Sequence, residues 1–242
     1  MRRILCVSSS QGSMGKNAGC EKAPGEILKY VRNDFDAGCV NVIDGDMEST
    51  NKNVYKKATN FEGVIIGGDH SITYPCFLAM EKRHKRCGLI MLDAHVDCAS
   101  YIKPPSHEDF LRVLLEDRVV KDENVAVIGA RKIYKAEMEF LKKREITIIK
   151  NANNFSNLLD RFKLLDAVYL TIDIDVFDPC IAMGTRYLVK NGLDKTGGFE
   201  LLSKIRELKN LDVVDIVEVN PRLDKNKKTI KLAAEIADFF HG

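Results

Sequence analysis

The sequence predicts an α/β fold: a single three-layer αβα domain around a mainly parallel sheet of about eight strands. Three observations predict it. Short β-branched runs recur from end to end, each is followed by a longer segment of helical character, and no Pro/Gly/Ser linker, low-complexity tract or repeat interrupts the alternation over residues 1–242. The runs are apolar throughout instead of alternating, as expected where helices cover both faces of a strand.

In chain order, strands are expected at residues 4–7, 40–43, 63–66, 88–92, 125–128, 146–149, 168–172 and 213–217. Helices are expected at residues 25–35, 72–85, 108–117, 132–143, 155–163, 199–209 and 228–240. The last helix shows its buried face most openly. Ile230, Ala233, Ala237 and Phe240 mark one stripe, and Leu232, Ile236 and Phe239 widen it. In open parallel sheets, ligands sit beyond the carboxyl ends of the strands, so a functional motif is expected there.

Composition narrows the class of function. At about 150 residues per domain, 242 residues allow one large domain, and 45% apolar with 30% charged residues suffices for a sizeable core. The 37 Lys+Arg nearly cancel the 35 Asp+Glu, leaving +2, so no overall field draws nucleic acid or an anionic membrane as partner. Seven cysteines without a C-x-x-C pair argue against a disulfide framework or a thiolate zinc cluster. The opening MRRILCVSSS has an apolar stretch of four, too short for a signal-peptide core or a membrane span, and a reducing cytoplasm is the expected setting.

Four of the expected strands end in polar, mostly acidic residues. In VIIGGDHSI, two glycines are expected to let the chain turn tightly and place His70 at the strand's end; a surface histidine beside an N-capping Ser71 is the alternative for this motif alone. In LIMLDAHVDCA, Asp93, His95 and Asp97 are spaced i, i+2, i+4, which in extended backbone puts all three on one face. TIDIDVFDP repeats the pattern with Asp173 and Asp175. Four carboxylates and two imidazoles at one edge need counter-charge. Mixed carboxylate and imidazole ligation without thiolate suits two manganese ions better than a structural zinc, and ions about 3.5 to 4 Å apart are a standard way to activate a bridging water. In VVDIVEVNPRLD, Glu218 interrupts an apolar strand and reads either as a buried ion-pair partner or as a receptor for a cationic ligand.

Together these pieces resemble the ureohydrolases, the arginase and agmatinase family that hydrolyses guanidino groups. GGDHSI at Gly67, DAHVD at Asp93, TIDIDVFDP at Thr171 and VEVNP at Val217 follow the family's order, and GCEKAPGEIL from Gly19 resembles its entry loop and first helix. The resemblance implies the arginase-like fold and a binuclear manganese centre held by His70, Asp93, His95, Asp97, Asp173 and Asp175. It also implies contact of Glu218 with a small cationic guanidino substrate, and a homo-oligomer, trimer or hexamer. Asp97 would also hold the proton of the attacking hydroxide. His107, twelve positions beyond His95, stands where agmatinase-like members carry the histidine that passes a proton to the leaving amine; a lone histidine at a helix start is the alternative.

Two stretches depart from the family's pattern. Glu108 and Asp109 follow His107 where small residues are usual, and after Asp178-Pro179, where the family has an alanine-rich turn and a G-T-G-T-P-type run before a glycine pair, the chain reads CIAMGTRYLVKNGLDKTGG, in which only Gly184-Thr185 and Gly197-Gly198 resemble that pattern. Arginases hold an α-amino acid with an asparagine- and serine-rich loop, and CASYIKPPS stands here instead, so agmatine, cleaved to urea and putrescine, fits better than arginine. The rivals are another guanidino or arginine hydrolase, a zinc deacylase of the same fold, and a ureohydrolase-like protein that holds metals without turnover. A P-loop at Gly15-Lys16 fails because Ser10 and Asn17 stand where glycine and Ser/Thr are needed.

Overall fold

The computed structural model describes residues 3–149 and 156–241. In chain order the elements are β1 (Arg3–Val7), α1 (Ala23–Leu28), β2 (Asp36–Cys39), α2 (Met47–Ala58), β3 (Gly63–Gly67), α3 (Thr73–Glu81), β4 (Cys87–Leu92), α4 (Phe110–Glu116), β5 (Val125–Ile128), α5 (Lys135–Leu141), β6 (Thr147–Ile149), α6 (Ser156–Phe162), β7 (Ala167–Asp173), α7 (Lys195–Arg206), β8 (Leu211–Val217) and α8 (Lys228–His241). The eight strands form one sheet in the order β2-β1-β3-β8-β7-β4-β5-β6, and every pairing is parallel.

Apolar runs make these strands because both faces are covered. Val64 and Ile66 of β3 pack with Ile27 of α1, Phe162 of α6, Leu202 of α7 and Ala233 of α8 on one side. Ile65, between them, packs on the other side with Val54 of α2, Phe77 of α3, Phe110 of α4 and Leu141 of α5. Each fully buried side chain of this size contributes about 1.5–3 kcal/mol. A core built on both faces is therefore large enough to carry a cluster of like charges at the sheet's edge.

The structure corrects three expectations. The second strand lies at Asp36–Cys39 and not at residues 40–43, because pairing with β1 sets its register, Arg3 opposite Asp36 through Cys6 opposite Cys39. All four residues of this edge strand are exposed, so no apolar pattern marks it. Helix α1 stops at Leu28, well short of residue 35. Helix α2 was not expected at all. It buries only Thr50, Val54 and Ala58, one residue per turn, and is started by Asp46, whose carboxylate accepts from Ser49 N at 2.9 Å. The remaining elements lie within a few residues of the expected ones; residue 155, the expected start of α6, is outside the described residues.

Among the described residues no helix is long and apolar enough to cross a membrane.

Candidate functional site

The polar motifs all fall beyond the carboxyl ends of β3, β4, β7 and β8, but local turns, not strand alternation, bring their side chains together. Strand β4 ends at Leu92, and the next residues bend until Asp97 takes a left-handed φ of 45°. The chain turns back so that Asp93, His95 and Asp97 face one point. Asp173 closes β7, and a short 3-10 turn over Ile174–Val176 carries Asp175 beside it, with Asp175 N donating to Asp173 Oδ1 at 2.8 Å. Glu218 is not inside a strand: it follows Val217 with φ 64°. The glycines before His70 also act differently from expectation. Neither has a positive φ, and they are required by space, since a Cβ on Gly68 would lie 1.8 Å from Ser9 O.

Six side chains gather there. His70 Nδ1 lies 3.3 Å from Asp93 Oδ2, 3.0 Å from Asp97 Oδ2 and 3.5 Å from Asp173 Oδ2. His95 Nδ1 lies 3.0 Å from Asp175 Oδ2 and 3.4 Å from Asp93 Oδ1. His70, Asp93 and Asp97 thus form one group able to hold a metal ion, and Asp93, His95 and Asp175 a second that shares Asp93. Backbone amides fix the carboxylates: His95 N donates to Asp93 Oδ1 at 2.6 Å and Ala94 N to Asp175 Oδ1 at 3.0 Å.

The donor set fits cations. His70 Nδ1 and Asp93 Oδ2 are buried without a hydrogen-bond partner, although carboxylate oxygens crowd around Nδ1. The tautomer is set from behind. Thr171 Oγ1 donates to Asp215 Oδ1 at 2.5 Å, so it accepts from His70 Nε2–H at 2.8 Å and leaves the Nδ1 lone pair aimed at the cluster. Asp215 also accepts from Thr73 Oγ1 and Tyr169 Oη, both at 2.7 Å. The sequence reading passed over Asp215, and its signal was plain: a carboxylate inside a strand buried on both faces.

Crowding and burial move the proton affinities of the cluster in opposite directions. Burial, then the charge of Asp93, raises Asp97 to about 7 and Asp175 to about 6. Burial and Asp175 raise Asp173 well above its usual range. Burial pulls both histidines down, but the carboxylates outweigh it, raising His70 well above its usual value and His95 to about 12. Burial pushes Asp93 up, yet His70 and His95 hold it below the ordinary carboxylate range. These opposed shifts are the mark of charges gathered for a ligand.

Glu218 and His107 stand beside this floor. Glu218 Oε1 accepts from His70 N at 2.7 Å and meets His107 Nδ1 at 3.0 Å, while Oε2 accepts from Asn17 Nδ2 at 2.6 Å. Burial raises Glu218, but His107 and the His70 amide more than offset it and hold the carboxyl low. His107 is pulled down by burial and pushed up by Glu218 to about 9; its Nε2 is buried without a hydrogen-bond partner. Asn17 was missed. It lies in the GSMGKNAG loop dismissed as a failed P-loop, and its side chain holds Glu218 Oε2.

The floor opens into a cavity of about 310 Å³, lined among others by His95, Asp97, His107, Glu108, Glu137, Asp173, Asp175, Tyr187 and Glu218. No lysine or arginine is found among its described lining residues.

Known proteins resemble this chain in sequence and in fold. The model of the Arginase family matches residues 9–241. An arginase of Staphylococcus aureus (strain COL) is 30% identical over 202 residues, covering 74% of this chain and 67% of that protein. The crystal structure of formimidoylglutamase from Bacillus subtilis subsp. subtilis str. 168 superposes with a TM-score of 0.91 at 21% identity, covering 100% of this chain and 86% of the other. Arginase from Bacillus subtilis gives 0.86 at 22% identity, covering 100% and 98%.

Proposed function

The chain belongs to the arginase family of ureohydrolases, and from that premise we propose that it hydrolyses a small guanidino cation, foremost agmatine, to urea and an amine. One observation carries the substrate reading: besides the candidate metal ligands, the cavity is lined by three further carboxylates, Glu108, Glu137 and Glu218, with no lysine or arginine among its described lining residues. A guanidinium is favoured by such a lining, whereas the α-carboxylate of arginine would be desolvated with no lysine or arginine among the described lining residues to meet it.

In this reading His70, Asp93, His95, Asp97, Asp173 and Asp175 hold two manganese ions. When bound, the ions supply Lewis-acid polarisation and lower the pKa of water at the site. The residues of this chain do the rest. Glu218 has about four acceptor positions, of which His70 N, His107 and Asn17 occupy three, so it offers the guanidinium one charge-assisted hydrogen bond through Oε2. A second, parallel bond requires His107 to let go. His107, charged at neutral pH and anchored through Nδ1, turns a free Nε2–H toward the leaving amine and acts as general acid. Asp97, at the cavity's floor, accepts a hydrogen bond from the attacking hydroxide and so holds its proton.

The same proposal places a homo-oligomer in the cytoplasm; seven thiols, none joined to another, support a reducing setting. The test is urea release by manganese-loaded protein from agmatine, arginine and shorter guanidino acids. Agmatine is expected to have the highest kcat/KM. Arginine or a guanidino acid exceeding it overturns the substrate, and no urea from any of them overturns the activity.

A further inference from the structure

The two stretches that depart from the ureohydrolase pattern touch each other at the cavity mouth. Glu108, directly after His107, accepts from Tyr187 Oη at 3.1 Å through Oε1, and Tyr187 comes from the altered run beyond Pro179. The Tyr187 ring stands edge-on to His95 at 5.8 Å and over His107 at 6.0 Å, so it walls the path to the floor. Lys16 takes the other oxygen, Oε2, at 2.5 Å. Glu108 and Tyr187 line the cavity and Lys16 does not, and Oε1, on the Tyr187 side of the carboxylate, keeps an acceptor position to spare.

We propose that Glu108 is a specificity-determining residue that receives the positively charged far end of the guanidino substrate. This rests on the guanidino reading above and adds to it the charge of the tail. The placement argues for it: His107 stands between two carboxylates, with Nδ1 at 3.0 Å from Glu218 Oε1 and Nε2 at 3.8 Å from Glu108 Oε1. The imidazole and its contacts of 3.0 and 3.8 Å separate the group assigned to the guanidinium from the group assigned to the tail, a span that a short aliphatic spacer bridges. The neighbouring acid does something else. Asp109 is buried and accepts from Ser106 N, Ser106 Oγ and Ile102 N, which fixes the loop and leaves Glu108 as the member of the pair that reaches the cavity. A tail ending in carboxylate would meet Glu108 as a like charge.

The experiment compares wild type with Glu108→Gln and Glu108→Lys, all loaded with manganese. Two substrates share one spacer: agmatine, with a charged tail, and n-butylguanidine, without one. Glu108→Gln is expected to lower kcat/KM for agmatine about ten-fold or more, through KM, and to leave n-butylguanidine near the wild-type value. Glu108→Lys is expected to lose more on agmatine alone. Calorimetric binding of 1,4-diaminobutane against butylamine is the second measurement, and the wild-type preference for the diamine should vanish in Glu108→Gln. Equal losses on both substrates would give Glu108 a merely structural role and overturn the proposal, as would no loss on either. If wild type releases no urea from any guanidino compound, the activity reading fails by itself. The amine pair still reads Glu108, and equal diamine preference in wild type and Glu108→Gln then overturns this inference.

Discussion

The floor of the cavity and its rim are built in opposite ways. On the floor, backbone amides hold the carboxylates, as His95 N holds Asp93 and Ala94 N holds Asp175, and the side chains are almost completely buried. At the rim, side chains hold side chains: Lys16 and Tyr187 grip Glu108, with Lys16 and Glu108 41% and 36% exposed. Main-chain positioning survives changes in neighbouring side chains, whereas a rim of mutual side-chain contacts is altered by any one substitution. On the proposed function, the difference teaches that the turns after the strands carry the metal-binding chemistry and the loops beyond them the choice of substrate.

The largest expected effect breaks the floor alone. Asp93 belongs to both candidate metal groups, so Asp93→Ala is expected to reduce manganese from two ions per chain to one or none and to abolish urea release. The circular-dichroism spectrum should stay native because the core lies behind the cluster. A full complement of manganese in this variant would remove the floor from the metal assignment.

His107→Asn probes the boundary between the two regions. It should leave metal content unchanged and lower turnover by about 10²-fold or more. It also has a pH signature. The folded-state value of about 9 lies above the unfolded 6.5, so the stability contributed by the His107–Glu218 pair is fully present below pH 6.5 and lost as pH rises through 9. Denaturation of wild type and variant across that window should show the wild type losing its excess stability. Parallel curves would deny the charged pair.

Glu218→Gln keeps the size and removes the charge. A loss of about 2 kcal/mol or more in transition-state binding is expected, with manganese content unchanged. Wild-type efficiency on the best substrate would count against a guanidinium at this position. The smallest effect concerns the support behind the floor. Thr171→Val cuts the His70–Thr171–Asp215 chain and should weaken manganese affinity about 10-fold, read by competition with a chelator. Unaltered affinity would show that the burial of His70 fixes its orientation without the threonine.

Legibility in the sequence followed the same division. The strands buried on both faces, and the acidic residues at their ends, announce themselves because no soluble core tolerates such carboxylates without a purpose. Asp93, His95 and Asp97 were found by an alternation argument although a bend and a left-handed Asp97 bring them together. The spacing pointed to convergence; the backbone path had to be seen. What escaped depends on long-range contact. Asn17 and Glu218 are 201 positions apart, and Tyr187 meets Glu108 across 79. Helix α2 and strand β2 escaped because one is mostly polar and the other lies exposed at an edge.

The strand order has a consequence for how the protein is made. His70 follows β3 and Asp93 follows β4, yet these strands are not neighbours: β8 and β7 lie between them, and both are synthesised late. A nascent chain that has not yet reached Ala167 carries β1 to β3 and β4 to β6 as two flanks with an open seam. The candidate metal centre straddles that seam, taking His70 from one flank, Asp93, His95 and Asp97 from the other, and Asp173 and Asp175 from the end of β7 and the turn after it, β7 being one of the two strands that fill the seam. On the proposed metal assignment, the full ligand set is assembled only after the middle of the sheet has been filled.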